Sequence, residues 1–313
     1  MADFIKPRIF FVMLLLFAVN IISGCIKEES FSDKELKGTE GITIDFIKDY
    51  PQEKYTIEKD VPVDIILEIR NKGAYPETEE QKIDGKVYIS GFDKSIIDIE
   101  KEKDLADVLL PSAFVAYPEG SLDNIQFDGK ILSEKLRAEK YEANIMATLC
   151  YSYATKAAAS VCVDTAPLEK NKVCSAESKT LTSQGAPVAV TRIDEEVSSD
   201  KIHFKISISN AGNGDVINRE VLEKCNPYGD KRLERDDFDK VELVKVTLGQ
   251  QELKCNAENN KIRLFNGQGF AICTLDKEDF KNIPTFTSPL NIELKYGYKS
   301  TILKQINVLK VVI

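Results

Sequence analysis

The side chains best suited to chemistry in this 313-residue chain are its seven cysteines and its single histidine. A cysteine and a histidine held close together would suit nucleophilic catalysis or zinc binding. No Cys-x-x-Cys pair occurs, and His203 lies far in sequence from every cysteine. Lys201 and Lys205 share the polar face of a predicted strand with His203, so a solvated histidine is expected there. The sequence therefore predicts no catalytic residue, no metal site and no cofactor.

Cys25 differs from the other cysteines because it follows an export-type leader. Basic residues precede an apolar run over 9–22, and Ser23-Gly24-Cys25 comes next. The run is shorter than the ~20 residues that span a bilayer, although an uncleaved anchor remains the alternative. Ile22-Ser23-Gly24-Cys25 resembles the lipobox of prokaryotic lipoproteins. This resemblance implies cleavage before Cys25, a lipid on its sulfur, and a protein that faces the extracytoplasmic side of the membrane.

Six cysteines remain, and they are Cys150, Cys162, Cys174, Cys225, Cys255 and Cys273. An even number of cysteines in an exported chain favours disulfides, because exported proteins meet oxidising conditions. Free buried thiols are the alternative, since cysteine is common in protein interiors.

Strand patterning suggests how these cysteines pair. If 155–157 forms a hairpin loop, Cys150 and Cys162 lie opposite each other on the non-core face of two strands. Cys255 and Cys273 flank a turn–strand–turn–strand stretch and form a second predicted pair. The remaining two cysteines would then join a linker to a charged segment.

Strand patterning also divides the chain into two similar halves. The segments 63–70 and 201–209 alternate apolar and polar residues, as half-buried strands do. Each ends in an Asn-x-Gly turn, at Asn71 and at Asn210, 139 positions apart. Late in each half, Leu-x-Tyr-x-Tyr occurs at 149–153 and 294–298, 145 positions apart. Two landmarks in the same order predict a duplicated all-β unit.

The early Asn-x-Gly strand end and the late Tyr-containing segment resemble the Ig-like, CARDB-type domains of prokaryotic, in particular archaeal, surface proteins. This resemblance implies two tandem Ig-like β-sandwiches after a lipoprotein signal peptide. Tyr141 begins a long strand after a corner and resembles the tyrosine corner of such folds, with an ordinary core aromatic as the alternative. The predicted segments are a signal peptide over 1–24, a polar tether over 25–40, sandwiches over 41–166 and 187–313, and a linker over 167–186.

Charge excludes some functions and leaves one metal to consider. The formal net charge of −9 and the lack of a long basic stretch argue against nucleic-acid binding. Phosphate-binding glycine motifs do not occur. The acidic stretch 234–239 suggests calcium, but its spacing departs from a calcium-loop order, so a solvated charged loop is preferred.

These observations predict a non-enzymatic, lipid-anchored cell-surface protein with a structural, adhesive or protein-interaction role. Its expected partners are the membrane, through the lipid, and an envelope or surface protein. The alternative is a small-molecule or carbohydrate-binding accessory module, which needs an exposed aromatic platform. Tyr75, Tyr117 and Tyr228 are the candidates for that platform. An enzyme would require a deep pocket with converging Asp, Glu or Lys side chains.

Overall fold

The computed structural model describes residues 38–311 except 79–80, 108–109, 111, 113–119, 167, 281–282 and 284. The predicted signal peptide, Cys25 and the tether up to residue 37 lie outside this part of the chain. The described residues are all-β, with eighteen strands and short 3-10 turns, and they belong to one compact unit that spans Leu36–Ile313.

The strands are β1 (Ile42–Phe46), β2 (Lys54–Ile57), β3 (Val61–Asn71), β4 (Gly85–Ser90), β5 (Ile97–Ile99), β6 (Glu102–Asp104), β7 (Ser121–Ile131), β8 (Lys140–Val163), β9 (Lys179–Thr180), β10 (Val188–Val197), β11 (Lys201–Asn210), β12 (Asp215–Ile217), β13 (Lys240–Leu248), β14 (Gln251–Glu252), β15 (Lys254–Cys255), β16 (Lys261–Arg263), β17 (Gln268–Asp276) and β18 (Phe286–Lys310). The 3-10 turns are Leu105–Asp107, Ser133–Lys135, Arg219–Cys225, Arg235–Asp237, Glu258–Asn260 and Lys277–Phe280.

Three sheets enclose the core. The first outer sheet has the order β1-β3-β7-β5, and the second outer sheet has the order β15-β17-β11-β10-β9. The shared sheet follows the path β14-β13-β18-β8-β4-β6, with β2 and β12 paired to β18 and β16 paired to β13. Alternate residues of these strands, such as Leu67 of β3 and Ile206 of β11, are fully buried. Their burial on one face is what the period-two pattern predicts.

The two longest strands join the halves of the sequence. β8 and β18 pair antiparallel over 24 residue pairs, from Val163 opposite Phe286 to Lys140 opposite Leu309. Near the middle, Ser152 lies opposite Gly297. Each half of the sequence therefore supplies one long strand, and its partner comes from the other half. The predicted segments 41–166 and 187–313 meet in one continuous sheet, and the position of a boundary between them stays a prediction.

The predicted hairpin loop over 155–157 is wrong, because β8 continues through it without a break. Thr155, Lys156 and Ala157 include none of the glycine, proline, asparagine or aspartate residues that turns require. Alternation also continues across them, since Tyr153, Thr155 and Ala157 are all buried.

The three disulfides join Cys150 to Cys225, Cys162 to Cys174, and Cys255 to Cys273. The last pair is the one that the sequence indicated, and it links neighbouring residues of β15 and β17. The predicted pairing of Cys150 with Cys162 is wrong, because twelve residues along one strand separate two side chains by about 40 Å. The predicted pairing of Cys174 with Cys225 is also wrong, because Cys174 is bonded to Cys162 and Cys225 to Cys150, at distant positions of β8.

The charged stretch 218–239, termed here the crossing segment, covers part of the outer face of the shared sheet. Cys225 of this segment is buried with Tyr88 of β4 and Cys150 of β8 in a second, small apolar cluster. The hydroxyl of Tyr228 donates a 2.9 Å hydrogen bond to the Ile89 carbonyl. A segment from the second half of the sequence is thus fixed against strands of the first half.

Candidate functional site

Four tyrosines form a buried cluster at the centre of the shared sheet. Tyr151 and Tyr153 lie on one face of β8, opposite Tyr298 and Tyr296 of β18. Ring centroids are 5.6 Å apart for Tyr151 and Tyr153 and 5.9 Å apart for Tyr151 and Tyr298, with the edge-to-face geometry that aromatic rings prefer. All four are at most 4% exposed. This tyrosine cluster stands where the two halves meet.

Two hydroxyls of the tyrosine cluster close the Asn-x-Gly turns. The Tyr153 hydroxyl donates to Asn71 Oδ1 at 3.2 Å, and the Tyr298 hydroxyl donates to Asn210 Oδ1 at 3.3 Å. Each hydroxyl also accepts the backbone N–H four residues beyond its asparagine, at 3.2 and 2.7 Å. Each asparagine amide donates to the carbonyl of that same residue, at 2.8 and 2.9 Å. The two landmarks seen in the sequence are therefore in direct contact.

The other two hydroxyls hold the first strand of each half. The Tyr151 hydroxyl accepts the Ile42 N–H at 3.1 Å and donates to the Ile42 carbonyl at 3.3 Å. The Tyr296 hydroxyl accepts the Val188 N–H at 3.3 Å and lies 2.9 Å from Thr155 Oγ1. Burial raises the pKa of the Tyr151 hydroxyl far above its ordinary range, so the phenol stays neutral and serves as a fixed hydrogen-bonding group.

A cleft of about 620 Å³ opens beside the tyrosine cluster. It lies between β1, the turn 211–215 and residues 298–302 of β18. Ion pairs flank it, with Lys72 Nζ 3.2 Å from Glu40 Oε2 and Lys299 Nζ 3.3 Å from Asp215 Oδ2. Ser300 Oγ, which lines the cleft, is buried and has no hydrogen-bond partner among the described residues.

The side of β1 that faces this cleft is a free strand edge. The Lys72 N–H donates to the Gly41 carbonyl, and the Ile47 N–H donates to the Ile66 carbonyl, both at 2.9 Å. Because hydrogen-bonded pairs alternate along an antiparallel ladder, the N–H and C=O groups of Ile44 and Phe46 point away from β3. No described residue hydrogen-bonds to them. Unpaired strand groups of this kind are where another strand can add.

The equivalent edge in the second half is covered. β10 pairs with β11 on one side and with β9 on the other. The Gln184 side chain accepts the Val190 N–H at 2.9 Å and donates to the Val190 carbonyl at 3.0 Å. The Leu181 N–H donates to the Thr191 carbonyl at 3.0 Å. Within the described ranges, the edge of β10 is therefore closed by other parts of the chain, whereas the edge of β1 is open.

A second depression, of about 640 Å³, lies on the outer face of the second outer sheet. His203 is there, with Nδ1 3.3 Å from Thr274 Oγ1. Nearby, Lys205 Nζ is 4.8 Å from the ring centroid of Phe270, a side chain that is 52% exposed. The structure thus places the histidine on the polar face of a strand, among lysines and carboxylates.

Of the three tyrosines predicted for an aromatic platform, the two that the structure describes, Tyr75 and Tyr228, have different surroundings. Tyr75 packs edge-on against Tyr153 at 5.3 Å. Tyr228 belongs to the crossing segment and has Lys94 Nζ 3.5 Å above its ring, whereas Tyr117 lies outside the described residues. Tyr141 is partly buried, and its hydroxyl accepts the Asp93 N–H at 2.7 Å.

The acidic stretch 234–239 makes ion pairs with basic side chains of this chain. Asp236 is 2.7 Å from both Lys240 and Arg263, and these cations hold the pKa of its carboxyl at about 2. Asp237 is 2.8 Å from Lys224. In the part of the chain that the structure describes, no three His, Cys, Asp or Glu side chains are grouped to hold a metal ion. That part also contains no helix with the length and apolar character needed to cross a bilayer.

The sequence analysis did not predict the cleft, although two motifs near it were visible in the sequence. The Asn-x-Gly turns and the Leu-x-Tyr-x-Tyr segments marked the residues around it, but nothing local indicates that they meet. The unequal coverage of β1 and β10 depends on the path of residues 179–184, which have no strong strand pattern.

No protein-family model matches the chain, and no curated protein matches it. Two solved structures align over most of its length. One is the C-terminal domain (WT) of the AgI/II polypeptide BspA from Streptococcus agalactiae, with 10% identity, 87% of this chain and 100% of that chain covered, and a TM-score of 0.19. The other, named BspA_C_mut, has 9% identity, 88% and 99% coverage, and a TM-score of 0.19. A TM-score of 0.19 is too low to indicate a shared fold or a shared function.

Proposed function

We propose that this chain is an exported lipoprotein that displays a rigid β body on the outer side of a membrane and acts by binding another protein rather than by catalysis. The leader that ends at Cys25 supports export and lipid attachment. Three disulfides among the described residues support an oxidising compartment. The body would consist of two Ig-like, CARDB-type sandwiches joined through the shared sheet, on the polar tether over 25–40.

The observation that carries the binding role is the free edge of β1 in the cleft. An extended segment of a partner can pair with the N–H and C=O groups of Ile44 and Phe46, as in recognition by strand addition. The Tyr151 hydroxyl fixes the start of β1, so the edge is already ordered before a partner arrives. A pre-ordered edge lowers the entropy lost on binding.

Lipid attachment is tested by Cys25→Ser. We expect this variant to lose metabolic lipid labelling, because the sulfur that would carry the lipid is absent. Ser30→Ala, in the predicted tether, is the matched control and should keep its labelling. Undiminished labelling of the Cys25→Ser protein would remove the lipoprotein assignment.

The binding role is tested by photo-crosslinking on intact cells. A photoreactive benzoylphenylalanine at Asp45 of β1 stands at the cleft, whereas the same group at Asp98 of β5 stands at the opposite edge of the same sheet. Both aspartates are exposed, so they form a matched pair. We expect a discrete protein adduct at position 45 and not at position 98. Equal adducts at both positions, or none at either, would contradict the proposal.

The depression on the second outer sheet favours a second candidate function, binding of a carbohydrate or another small molecule. The exposed ring of Phe270, near Lys205 of this depression, is a surface on which a sugar ring can stack. Phe270→Ala should then abolish any glycan-array signal, whereas Leu303→Ala, at an equally exposed position of β18, should preserve it. A signal that survives Phe270→Ala would exclude this surface.

A further inference from the structure

The second half of the protein shows what fits against the edge that is open in the first half. β1 and β10 are equivalent, since each begins at a residue held by a tyrosine hydroxyl, Ile42 by Tyr151 and Val188 by Tyr296. Each is also the antiparallel neighbour of the strand that ends at the Asn-x-Gly turn. What lies beside β10 is therefore a structural template for what can lie beside β1.

The template is a short extended segment. Residues 179–184 run beside β10, with Lys179 and Thr180 in antiparallel pairing and the Leu181 N–H bonded to the Thr191 carbonyl. The Leu181 side chain packs against the main core. Gln184 then satisfies both backbone groups of Val190. Backbone pairing, one apolar side chain and one amide side chain together close this edge.

The open edge of β1 has the same kinds of unpaired groups as the edge of β10 would have without residues 179–184. The outward N–H and C=O groups of Ile44 correspond in position to those of Val190, two residues beyond the tyrosine-held residue in each strand. Ser300 Oγ adds a buried hydroxyl without a partner among the described residues. The outward N–H and C=O groups of β1 repeat about every 7 Å along the strand, and an extended polypeptide has the same repeat.

We propose that the cleft binds an extended segment of another protein, antiparallel to β1, with an apolar residue in the position of Leu181 and polar neighbours on either side. This inference rests on the proposed function, because it specifies the partner of the same edge. Hydrogen bonds to Ile44 and Phe46 give affinity, and the apolar side chain between the sheets gives specificity.

The test uses a fluorescent synthetic peptide with the sequence of residues 177–184, Glu-Ser-Lys-Thr-Leu-Thr-Ser-Gln, added to the whole folded chain. Fluorescence anisotropy measures binding, and amide hydrogen exchange locates it. We expect the amides of Ile44 and Phe46 to exchange at least about tenfold more slowly with the peptide bound, since each gains a strand hydrogen bond. The amide of Val190, which is already bonded, should not change.

Matched peptide variants separate strand addition from general adhesion without altering the protein. N-methyl groups at the positions of Lys179 and Leu181 remove the N–H groups that face the edge, whereas N-methyl groups at the positions of Ser178 and Thr180 lie on the other side. The first peptide should bind at least about tenfold more weakly than the second, because strand hydrogen bonds are lost. Replacement of the leucine by aspartate should weaken binding similarly.

Three results would overturn the inference. These are no binding to the whole chain, equal binding by both N-methylated peptides, or protection at β10 instead of β1. The proposed function is judged separately, by the adducts at position 45. An adduct there without peptide binding would keep a binding role for the edge and reject this class of partner.

Discussion

Glu195 places a carboxyl on the core-facing side of β10, between Ile193 and Val197. Both of its carboxylate oxygens are buried, and neither meets hydrogen-bond geometry with a described residue. Burial raises the pKa of this carboxyl to about 7, the negative charge of Asp164 adds to the rise, and the backbone N–H of Cys162 opposes it. The folded protein therefore holds a proton at Glu195 that the unfolded chain releases near pH 4.5.

We expect the free energy of unfolding to fall as the pH rises from about 4.5 to 7, because the folded state binds the extra proton only across that interval. Glu195→Gln should remove this slope. At pH 8 it should also stabilise the protein by about 1–2 kcal/mol, a value reduced to account for solvent screening of a partly exposed residue. Urea unfolding at several pH values, with disulfides intact, measures it. Glu196→Gln, whose side chain is on the exposed face, should keep the slope. A slope that persists in Glu195→Gln would contradict the assignment.

The hydroxyl of Tyr153 contributes to the stability of the folded protein through its hydrogen bonds to Tyr75 and Asn71. Tyr153→Phe should lower the free energy of unfolding by about 1–3 kcal/mol, because the partly buried Tyr75 N–H loses its partner and the buried Asn71 side chain loses a donor. Urea unfolding measures the change. Tyr141→Phe is the control, since its hydroxyl bonds to Asp93 in an exposed loop and should cost less. Equal losses in both variants would show that the tyrosine cluster is not specially important.

Among the elements, the crossing segment is joined to β8 by one covalent bond, the Cys150–Cys225 disulfide. The double variant Cys150→Ala/Cys225→Ala removes the disulfide that fixes it to β8 and should cost about 2–4 kcal/mol of stability. We expect hydrogen exchange to rise in 218–239 while β11 stays protected, because the main core of the second outer sheet is separate from the small cluster under the segment. Cys255→Ala/Cys273→Ala is the matched control and should leave 218–239 protected. A uniform rise throughout the protein after loss of Cys150–Cys225 would contradict a local role.

For the molecule as a whole, the pairing of β8 with β18 makes each half dependent on the other. The fragments 38–166 and 187–313 each contain one long strand whose partner lies in the other fragment. We expect neither fragment to unfold cooperatively on its own, because each exposes one long strand edge and half of the tyrosine cluster. Thermal unfolding followed by circular dichroism, with the whole chain as control, measures this. A sharp transition in either isolated fragment would show that the halves fold independently.

Local alternation was enough to predict the strands but not their partners. The segments 63–70 and 201–209 form β3 and β11, because one buried face requires period two. The Asn-x-Gly turns were predicted from the types of their residues alone. The error at 155–157 arose because alternation alone does not show where a long strand ends, and the length of β8 depends on its pairing with β18, more than 120 residues away.

The sequence alone determined the all-β class, the polar and apolar faces of the strands and the two Asn-x-Gly turns, because these depend on residues that are neighbours in the chain. It also indicated Cys255 and Cys273 as a pair, since a short local excursion returns one to the other. The tertiary structure alone decided the other two disulfides, the tyrosine cluster and the open edge of β1. Each of these depends on which distant strands lie side by side, and pairing over such distances is set by the packing of the whole core, which no local pattern encodes.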